Sequence, residues 1–162
     1  MSSYEYDEAY DHMMRTFANT WTDPLLGWAS IPDLNDEPLV EWPNLDGKRE
    51  DDDVKVAEPE EPWLRLFVKH HDSDQATFGE TGCRIFTRTG MLGVDIFTPL
   101  NIGLKLSYRL GTVCKRPFEG KRGFGAGNGI IFRSVRLREH KNYQKRWAHS
   151  TVYADFEYDE VL

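Results

Sequence analysis

The sequence predicts an α+β domain in which a mixed, mainly antiparallel β-sheet packs two helices on one face. Three patterns support this prediction. An N-terminal segment has apolar residues at helical spacing, four later segments read as strands, and a second helical stripe lies between those strands. This order of elements favours helices gathered on one side of a sheet.

The length and composition indicate one domain, residues 1–162. Two cysteines, Cys83 and Cys114, are too few for a disulfide framework or a zinc cluster, and we expect both to be reduced and buried. The N-terminus lacks the pattern of a signal peptide, and no apolar run reaches the roughly 18 residues of a membrane span. We therefore expect a soluble protein that is made in a reducing cytoplasm and does not enter a membrane.

The net charge of −7 conceals a strong asymmetry along the chain. Residues 1–62 hold 17 acidic and 4 basic residues, whereas residues 63–162 hold 10 acidic and 16 basic ones. Such a division predicts a partner surface of opposite charge, or an acidic segment that folds back on the basic half.

The N-terminal third is predicted to contain one helix and a long irregular segment. The helix spans residues 3–19, with Ser2 or Ser3 as its cap. Its apolar stripe consists of Tyr6, Tyr10, Met13, Met14 and Phe17. Residues 20–62 are rich in proline, with one short strand at Leu39–Trp42. Residues 46–61 are charged and nearly free of aromatic residues, which predicts a mobile acidic loop.

The middle of the chain is predicted to form a hairpin followed by the second helix. Residues 63–69 alternate as a strand does, residues 70–82 form a polar connection, and residues 84–98 form a strand pair or one bent strand. Gly90 and Gly93 are predicted sites of a bulge or of close packing. Thr98 and Pro99 resemble the cap and first residue of a helix that ends before Pro117. Its apolar stripe is Ile102, Leu106, Leu110 and Val113.

The last third is predicted to be a loop and two strands. Residues 120–129 form a basic, glycine-rich loop, and a strand follows at residues 129–138. Strict alternation on this strand predicts Arg133 on one face and Arg136 and Arg138 on the other. In the final strand, residues 147–158, Val152, Ala154, Phe156 and Tyr158 are predicted to share a face.

Four patterns have residue types that occur in chemical sites, but none of them predicts such a site. The glycine-rich run at 123–129 precedes a strand instead of opening a helix, so it does not predict a phosphate loop. Paired His70 and His71 with Asp72 and Asp74 fit a solvated turn better than a metal site. The aspartates at 51–53 fit a solvated loop better than a Mg²⁺ site, and Cys114 has no local signature of a thiol–imidazole pair. We predict no catalytic residue, no cofactor and no metal, and therefore no enzyme.

A basic cluster at residues 115–146 gives a clearer indication of function. It contains ten Lys or Arg residues, with Phe124 and Tyr143 among them and Trp147 next to it. The pattern favours a surface that binds another protein. Nucleic-acid binding and a merely solvated face are the alternatives.

Several of these segments together resemble the tail terminator proteins of long-tailed bacteriophages, a family that includes the terminator of phage lambda. The resemblance spans roughly residues 3–160. Its most specific part is the run Arg88-Thr-Gly-Met-Leu-Gly-Val-Asp-Ile-Phe-Thr-Pro99 with Gly103 and the following helix. The segment from Pro62 to Leu66, the run Gly129-Ile-Ile-Phe and the closing strand add pattern-level support. The acidic segment and the basic region at 120–146 are longer and more charged than in that family.

The resemblance implies a structural virion protein, assembled in the host cytoplasm and located at the head-proximal end of the tail. Members form a ring, expected to be a hexamer, which caps the tail tube protein and stops its polymerisation. The ring provides the docking surface for a neck or head-completion protein, and genomic DNA passes through its lumen without sequence-specific binding. Another head–tail joining protein, such as a neck or tail-completion protein, is the nearest alternative, followed by a small nucleic-acid-binding module.

We predict the contact residues of such an assembly from their charge. The acidic segment, with Asp51, Asp52 and Asp53, is expected to meet a basic patch on a neighbouring subunit or neck protein. Arg133, Arg136 and Arg138 are expected to contact an acidic partner or the lumen. Neutralising the three aspartates should then weaken docking at low salt, and unchanged docking there would contradict the hypothesis.

Overall fold

The computed structural model describes residues 5–43, 61–119 and 129–162. These form helix α1 (Tyr6–Trp21), a 3₁₀ turn (Trp28–Ser30), strand β1 (Leu39–Glu41), strand β2 (Trp63–Gln75) and strand β3 (Ile85–Pro99). Helix α2 (Lys105–Lys115), strand β4 (Ile131–Glu139) and strand β5 (Trp147–Val161) follow. No helix in the described ranges is long and apolar enough to cross a membrane.

The five strands form one sheet in the order β1-β2-β3-β5-β4. Only the short β1–β2 pair is parallel, and the other pairs are antiparallel. The β3–β5 register runs without interruption from Ile85↔Val161 to Pro99↔Trp147. The protein is therefore an α+β protein with a mixed, mostly antiparallel sheet, as the sequence predicts.

Both helices pack against the same face of this sheet. One buried cluster contains side chains from both helices: Met13 and Phe17 of α1, and Leu110 and Val113 of α2. The strands contribute Leu64, Leu66, Leu92, Val94, Ile96, Val152, Ala154, Phe156 and Tyr158 to it. The predicted inward face of β5 is thus confirmed, as is the apolar stripe of α1 from Met13 onward. We call the other side of the sheet the open face.

The start of α2 differs from the prediction. Thr98 and Pro99 remain paired with β5, so Pro99 ends a strand and does not begin a helix. Asn101 (φ 68°) and Gly103 (φ 80°) then adopt left-handed conformations that a right-handed helix excludes. The helix begins only at Lys105, which leaves Ile102 outside the apolar stripe and exposed.

Two further predictions are corrected. Helix α1 begins at Tyr6 with Glu5 as its cap, in place of Ser2 or Ser3, and the Glu5 amide donates to Glu8 Oε2 at 3.1 Å. Cys114 is buried as predicted, but Cys83 is exposed in the connection between β2 and β3. Burial raises the pKa of the Cys114 thiol far above its ordinary value, which leaves it protonated and unreactive.

Gly90 and Gly93 are close-packing sites, as predicted. A Cβ on Gly90 would overlap the Lys69 carbonyl and the Phe156 ring, and a Cβ on Gly93 would overlap the Phe67 ring. The missing side chain of Gly93 lets Phe67 lie across β3 toward Tyr153, with ring centroids 6.3 Å apart.

We predict that Gly90→Ala lowers the free energy of unfolding by about 2 kcal/mol, because backbone and a packed ring must both move to admit the methyl group. Gly79→Ala is the matched control, since its Cβ would meet only ordinary contacts, the nearest at 3.5 Å. Thermal unfolding followed by circular dichroism measures both changes. Equal melting temperatures for the two variants would contradict the packing argument.

Candidate interaction surface

The open face is a mixed aromatic and charged surface. Strand pairing places on it Arg65, Phe67, Lys69, Met91, Asp95, Phe97, Arg133, Arg136, Arg138, His149, Thr151, Tyr153, Asp155 and Glu157. Most of these side chains are half-buried or exposed, whereas their neighbours in sequence lie under the helices. The face is thus a large part of the described surface that the fold leaves available.

A β-bulge in β4 brings the three predicted arginines together. The register passes from Arg133↔Asp155 to Arg136↔Tyr153, which gives β4 one extra residue, and Ser134 takes a left-handed conformation (φ 51°). Arg133, Arg136 and Arg138 consequently all lie on the open face. The prediction that Arg133 points away from the other two is wrong, because it assumed an unbroken alternation.

We call these three arginines the arginine row, and the neighbouring carboxylates that the structure describes hold only two of them, both loosely. Arg133 lies 3.9 Å from Glu157, and Arg136 lies 3.4 Å from Asp155 with its guanidinium over the Tyr153 ring at 5.3 Å. Arg138 is exposed, and we find no ion pair for it among the described residues. Exposed pairs of this kind contribute about 0–1 kcal/mol, so the guanidinium groups can exchange these partners for others.

A buried carboxylate anchors the centre of the open face. Asp95 accepts hydrogen bonds from Thr151 Oγ1 at 2.6 Å, His149 Nε2 at 3.0 Å and Arg65 Nη2 at 3.0 Å. Burial alone would raise the pKa of Asp95, but these three donors outweigh burial and hold the pKa below its ordinary value. The same contact raises the pKa of Arg65 against the opposing effect of burial.

This network continues to the surface through His140. Its Nε2 lies 2.9 Å from the Thr151 hydroxyl, and because that hydroxyl donates to Asp95, the imidazole nitrogen is the donor to it. Burial, His149 and Arg138 lower the pKa of His140, although Asp95 opposes them. The imidazole is therefore neutral at pH 7.

An aromatic cluster closes one end of the open face. Trp63, Phe97 and Trp147 are buried there although neither helix covers them. Tyr143, in the connection between β4 and β5, packs on the Phe97 ring with centroids 4.8 Å apart. His149 stacks on the same Phe97 ring at 4.6 Å. Arg65 lies over Phe97 as well, at 5.3 Å. Through Arg65 and His149, the aromatic cluster is thus in contact with the Asp95 network.

The remaining predicted site residues lie elsewhere. Two of the predicted segments lie outside the described residues: the acidic segment up to residue 60, with Asp51, Asp52 and Asp53, and most of the basic glycine-rich loop. His70 and His71 belong to β2, where His70 Nε2 lies 2.9 Å from Tyr158 Oη. Within the described ranges, no three His, Cys, Asp or Glu side chains are placed to hold a metal ion.

The Asp95 network was not predicted from the sequence. One signal was present: Asp95 is the single charged residue in the apolar run from Met91 to Phe97. A charge in such a strand requires buried partners. Its donors lie 30 to 56 residues away along the chain, so the sequence does not identify them.

Comparison with known proteins supports the fold and no more. No family model and no curated protein matches the chain. Fifteen chains of solved structures match it in fold. One of them, a protein whose name states no function, superposes with a TM-score of 0.51 at 16% identity, over 92% of this chain and 93% of its own.

We predict that Asp95→Asn lowers the free energy of unfolding by about 2 kcal/mol at pH 7, because three donors lose a charged acceptor. The value lies below that of a fully buried pair, since the Arg65 side chain is 35% exposed. Asp155→Asn is the control: its side chain lies on the same face but is 46% exposed, so the change should alter stability by less than about 0.5 kcal/mol.

The same variant should change the response to acid. The folded-state pKa of Asp95 is lowered, so its stabilisation is complete above the unfolded aspartate pKa of about 3.9 and is lost as the pH falls through the lower folded pKa. The difference in unfolding free energy between the parent and Asp95→Asn should shrink below about pH 4. Urea unfolding at a series of pH values measures this, and a constant difference down to pH 2 would contradict it.

Proposed function

We propose that this protein is a structural, non-enzymatic component of a phage tail: a terminator that forms a ring on the tail tube, stops tube polymerisation and receives the neck of the head. The tail tube protein, a neck or head-completion protein and further copies of this chain are its proposed partners. The virion, at the head-proximal end of the tail, is its proposed location.

The arginine row is the observation that carries this proposal. Three guanidinium groups lie side by side on the open face of β4, which forms one edge of the described sheet. Arginine binds carboxylates in a bidentate geometry and is favoured where proteins meet. The opposite charge is present in the same sequence, in the acidic residues of segment 46–61. The resemblance to the terminators makes the proposal specific.

The rigidity of the open face adds support. A surface that must seat several partners in one geometry needs fixed positions, and packed or networked side chains supply them. The Asp95 network and the aromatic cluster fix β2, β3 and β5 side by side. The arginine row lies on the adjacent edge strand, where weak pairs with Asp155 and Glu157 keep the guanidinium groups in place until a partner replaces them.

One observation favours nucleic-acid binding as a second candidate. Tyr153 and Phe67 are half-buried aromatic rings on the open face, and Arg136 stacks on Tyr153. Stacking rings beside guanidinium groups bind single strands. Two carboxylates next to the arginine row, Asp155 and Glu157, count against this candidate because they repel phosphate. Tight DNA binding by the isolated protein that weakens steeply with salt would favour it.

Electron microscopy of particles from a phage that lacks this gene tests the proposed function. A missing terminator should give headless tails of abnormal, uncontrolled length. Tails of normal length that still lack heads would point to a neck or completion protein instead. Normal, infectious virions would overturn the structural role and leave the nucleic-acid candidate.

The arginine row predicts a specific defect. Combining Arg133→Gln, Arg136→Gln and Arg138→Gln should lower phage yield at least tenfold in complementation, because an acidic partner loses its counter-charges. The control combines Arg15→Glu and Asn19→Asp, which changes the net charge by the same three units on the exposed side of α1 and should complement normally. Both proteins should melt within a few degrees of the parent.

In vitro, the defect should depend on salt. The Debye length falls from about 10 Å at 0.1 M to about 3 Å at 1 M, so the triple variant and the parent should assemble more alike as salt rises. An equal defect in the control variant would assign the loss to net charge, and the arginine row would then have no specific role.

A further inference from the structure

The sheet has two ends that differ in charge and in exposed apolar residues. One end, which we call the arm, comprises residues 71–88 and 159–162 at the ends of β2, β3 and β5, and α1 reaches its base, where Arg88 lies over the Tyr6 ring. The other end, the basic end, comprises residues 100–109 and 139–147. Strand β3 joins them: its residues 89–99 lie between the two ends and span about 36 Å at about 3.3 Å per residue.

The arm presents an aromatic side chain with nothing around it. Phe78, in the connection between β2 and β3, is 97% exposed. Leu162 is also exposed and pairs through its backbone with Arg84, close to the tip. An isolated aromatic residue at the end of a projecting hairpin is typical of an anchor that fills a pocket on a partner, because large rings dominate the energy of interfaces.

The basic end presents a group of exposed apolar residues. Ile102 is 54% exposed, and Leu104 and Tyr108 are exposed beside it. Ile102 is exposed because Asn101 and Gly103 turn the chain away from the sheet before α2 begins. The Tyr108 hydroxyl donates to Glu139, and Ser107 bonds Ser150, so this patch borders the end of β4 and the start of β5.

The charges of the two ends are complementary. Among the described residues, the arm has four acidic residues outside ion pairs, Asp72, Asp74, Glu80 and Asp159, against Arg84, because its remaining charged residues, Arg88 and Glu160, form a buried ion pair with each other. The basic end has Lys105, Lys141, Lys145 and Arg146, together with Arg109, which pairs with Asp33, against the acidic Glu139. Opposite fields on two patches steer their encounter and fix their orientation.

We infer that the arm of one copy of this chain docks on the basic end of the next, with Phe78 seated against Ile102, Leu104 and Tyr108. Two different patches meet in this contact, so it is heterologous and generates a closed ring or an open filament. The inference rests on the proposed function in that it needs the chain to associate with itself, and it assigns the surfaces that do so.

A disulfide trap tests the contact directly. Cys83 is exposed next to the arm tip, and Cys114 is fully buried and silent. Ile102→Cys adds a thiol to the basic end. Mild oxidation of this variant should join Cys83 of one copy to the new cysteine of the next, giving a ladder of covalent oligomers on non-reducing gels that stops at the size of the ring.

Two control proteins show which cysteines form the ladder. The parent has only Cys83 exposed and can form nothing larger than a dimer. Ile102→Cys combined with Cys83→Ser lacks the arm thiol and should give no ladder. A dimer as the largest product of the trap variant, while electron microscopy shows rings of the parent, would overturn the head-to-tail contact and leave the proposed function standing. Monomers in both assays would overturn the contact together with self-assembly.

A pair of serine variants supplies an independent readout. Phe78→Ser should weaken self-association at least tenfold in sedimentation velocity, because the anchor is lost, while its melting temperature stays close to that of the parent. Leu25→Ser is the control: Leu25 is 83% exposed but lies in the loop after α1. Equal association of both variants and the parent would overturn the role of Phe78.

Discussion

The uninterrupted pairing of β3 with β5 is the constraint on which the rest of the structure depends. Fifteen consecutive residue pairs fix which side chains lie under the helices and which lie on the open face. A slip of one residue would exchange the two sets, placing Asp95 in the apolar core and Val94 outside. The same pairing continues to Ile85↔Val161, so it also builds the arm.

The two faces of the sheet are stabilised by different physics. The helix-covered face buries aliphatic and aromatic side chains in one cluster, which supplies most of the hydrophobic stabilisation. The open face buries little and is specified by a hydrogen-bonded carboxylate and a small aromatic cluster. A buried charge contributes little net stability, but it penalises any arrangement in which Arg65, His149 and Thr151 are not brought to Asp95. The helix-covered face of the sheet therefore supplies most of the stability, and the side-chain contacts on the open face determine the shape of the exposed surface.

Sequence patterns predicted the fold class and the buried face of β5. Alternation and helical spacing are local patterns, and both reflect which side chains are buried in the core. They failed where one local sequence pattern is compatible with two different structures. Pro99 suits both a strand end and a helix start, and only the pairing with Trp147 decides between them. Ser134 does not indicate a bulge, since nothing in its type requires a positive φ. The Asp95 network depends on contacts between distant strands, which periodicity does not contain.

In the proposed head-to-tail association, the separation of charge between the ends of the sheet would disfavour dimers that join two like ends. Two arms repel each other because both are acidic, and two basic ends repel each other for the same reason. Contact between an arm and a basic end is therefore the association that the field favours, and this combination cannot close as a symmetric dimer through a single contact. The negative net charge keeps free subunits apart at a distance, and the local fields act once two ends are within about a Debye length. The long β3 strand then has a role beyond stability. It separates the acidic arm from the basic end within one molecule, so that the charge of one end does not neutralise that of the other.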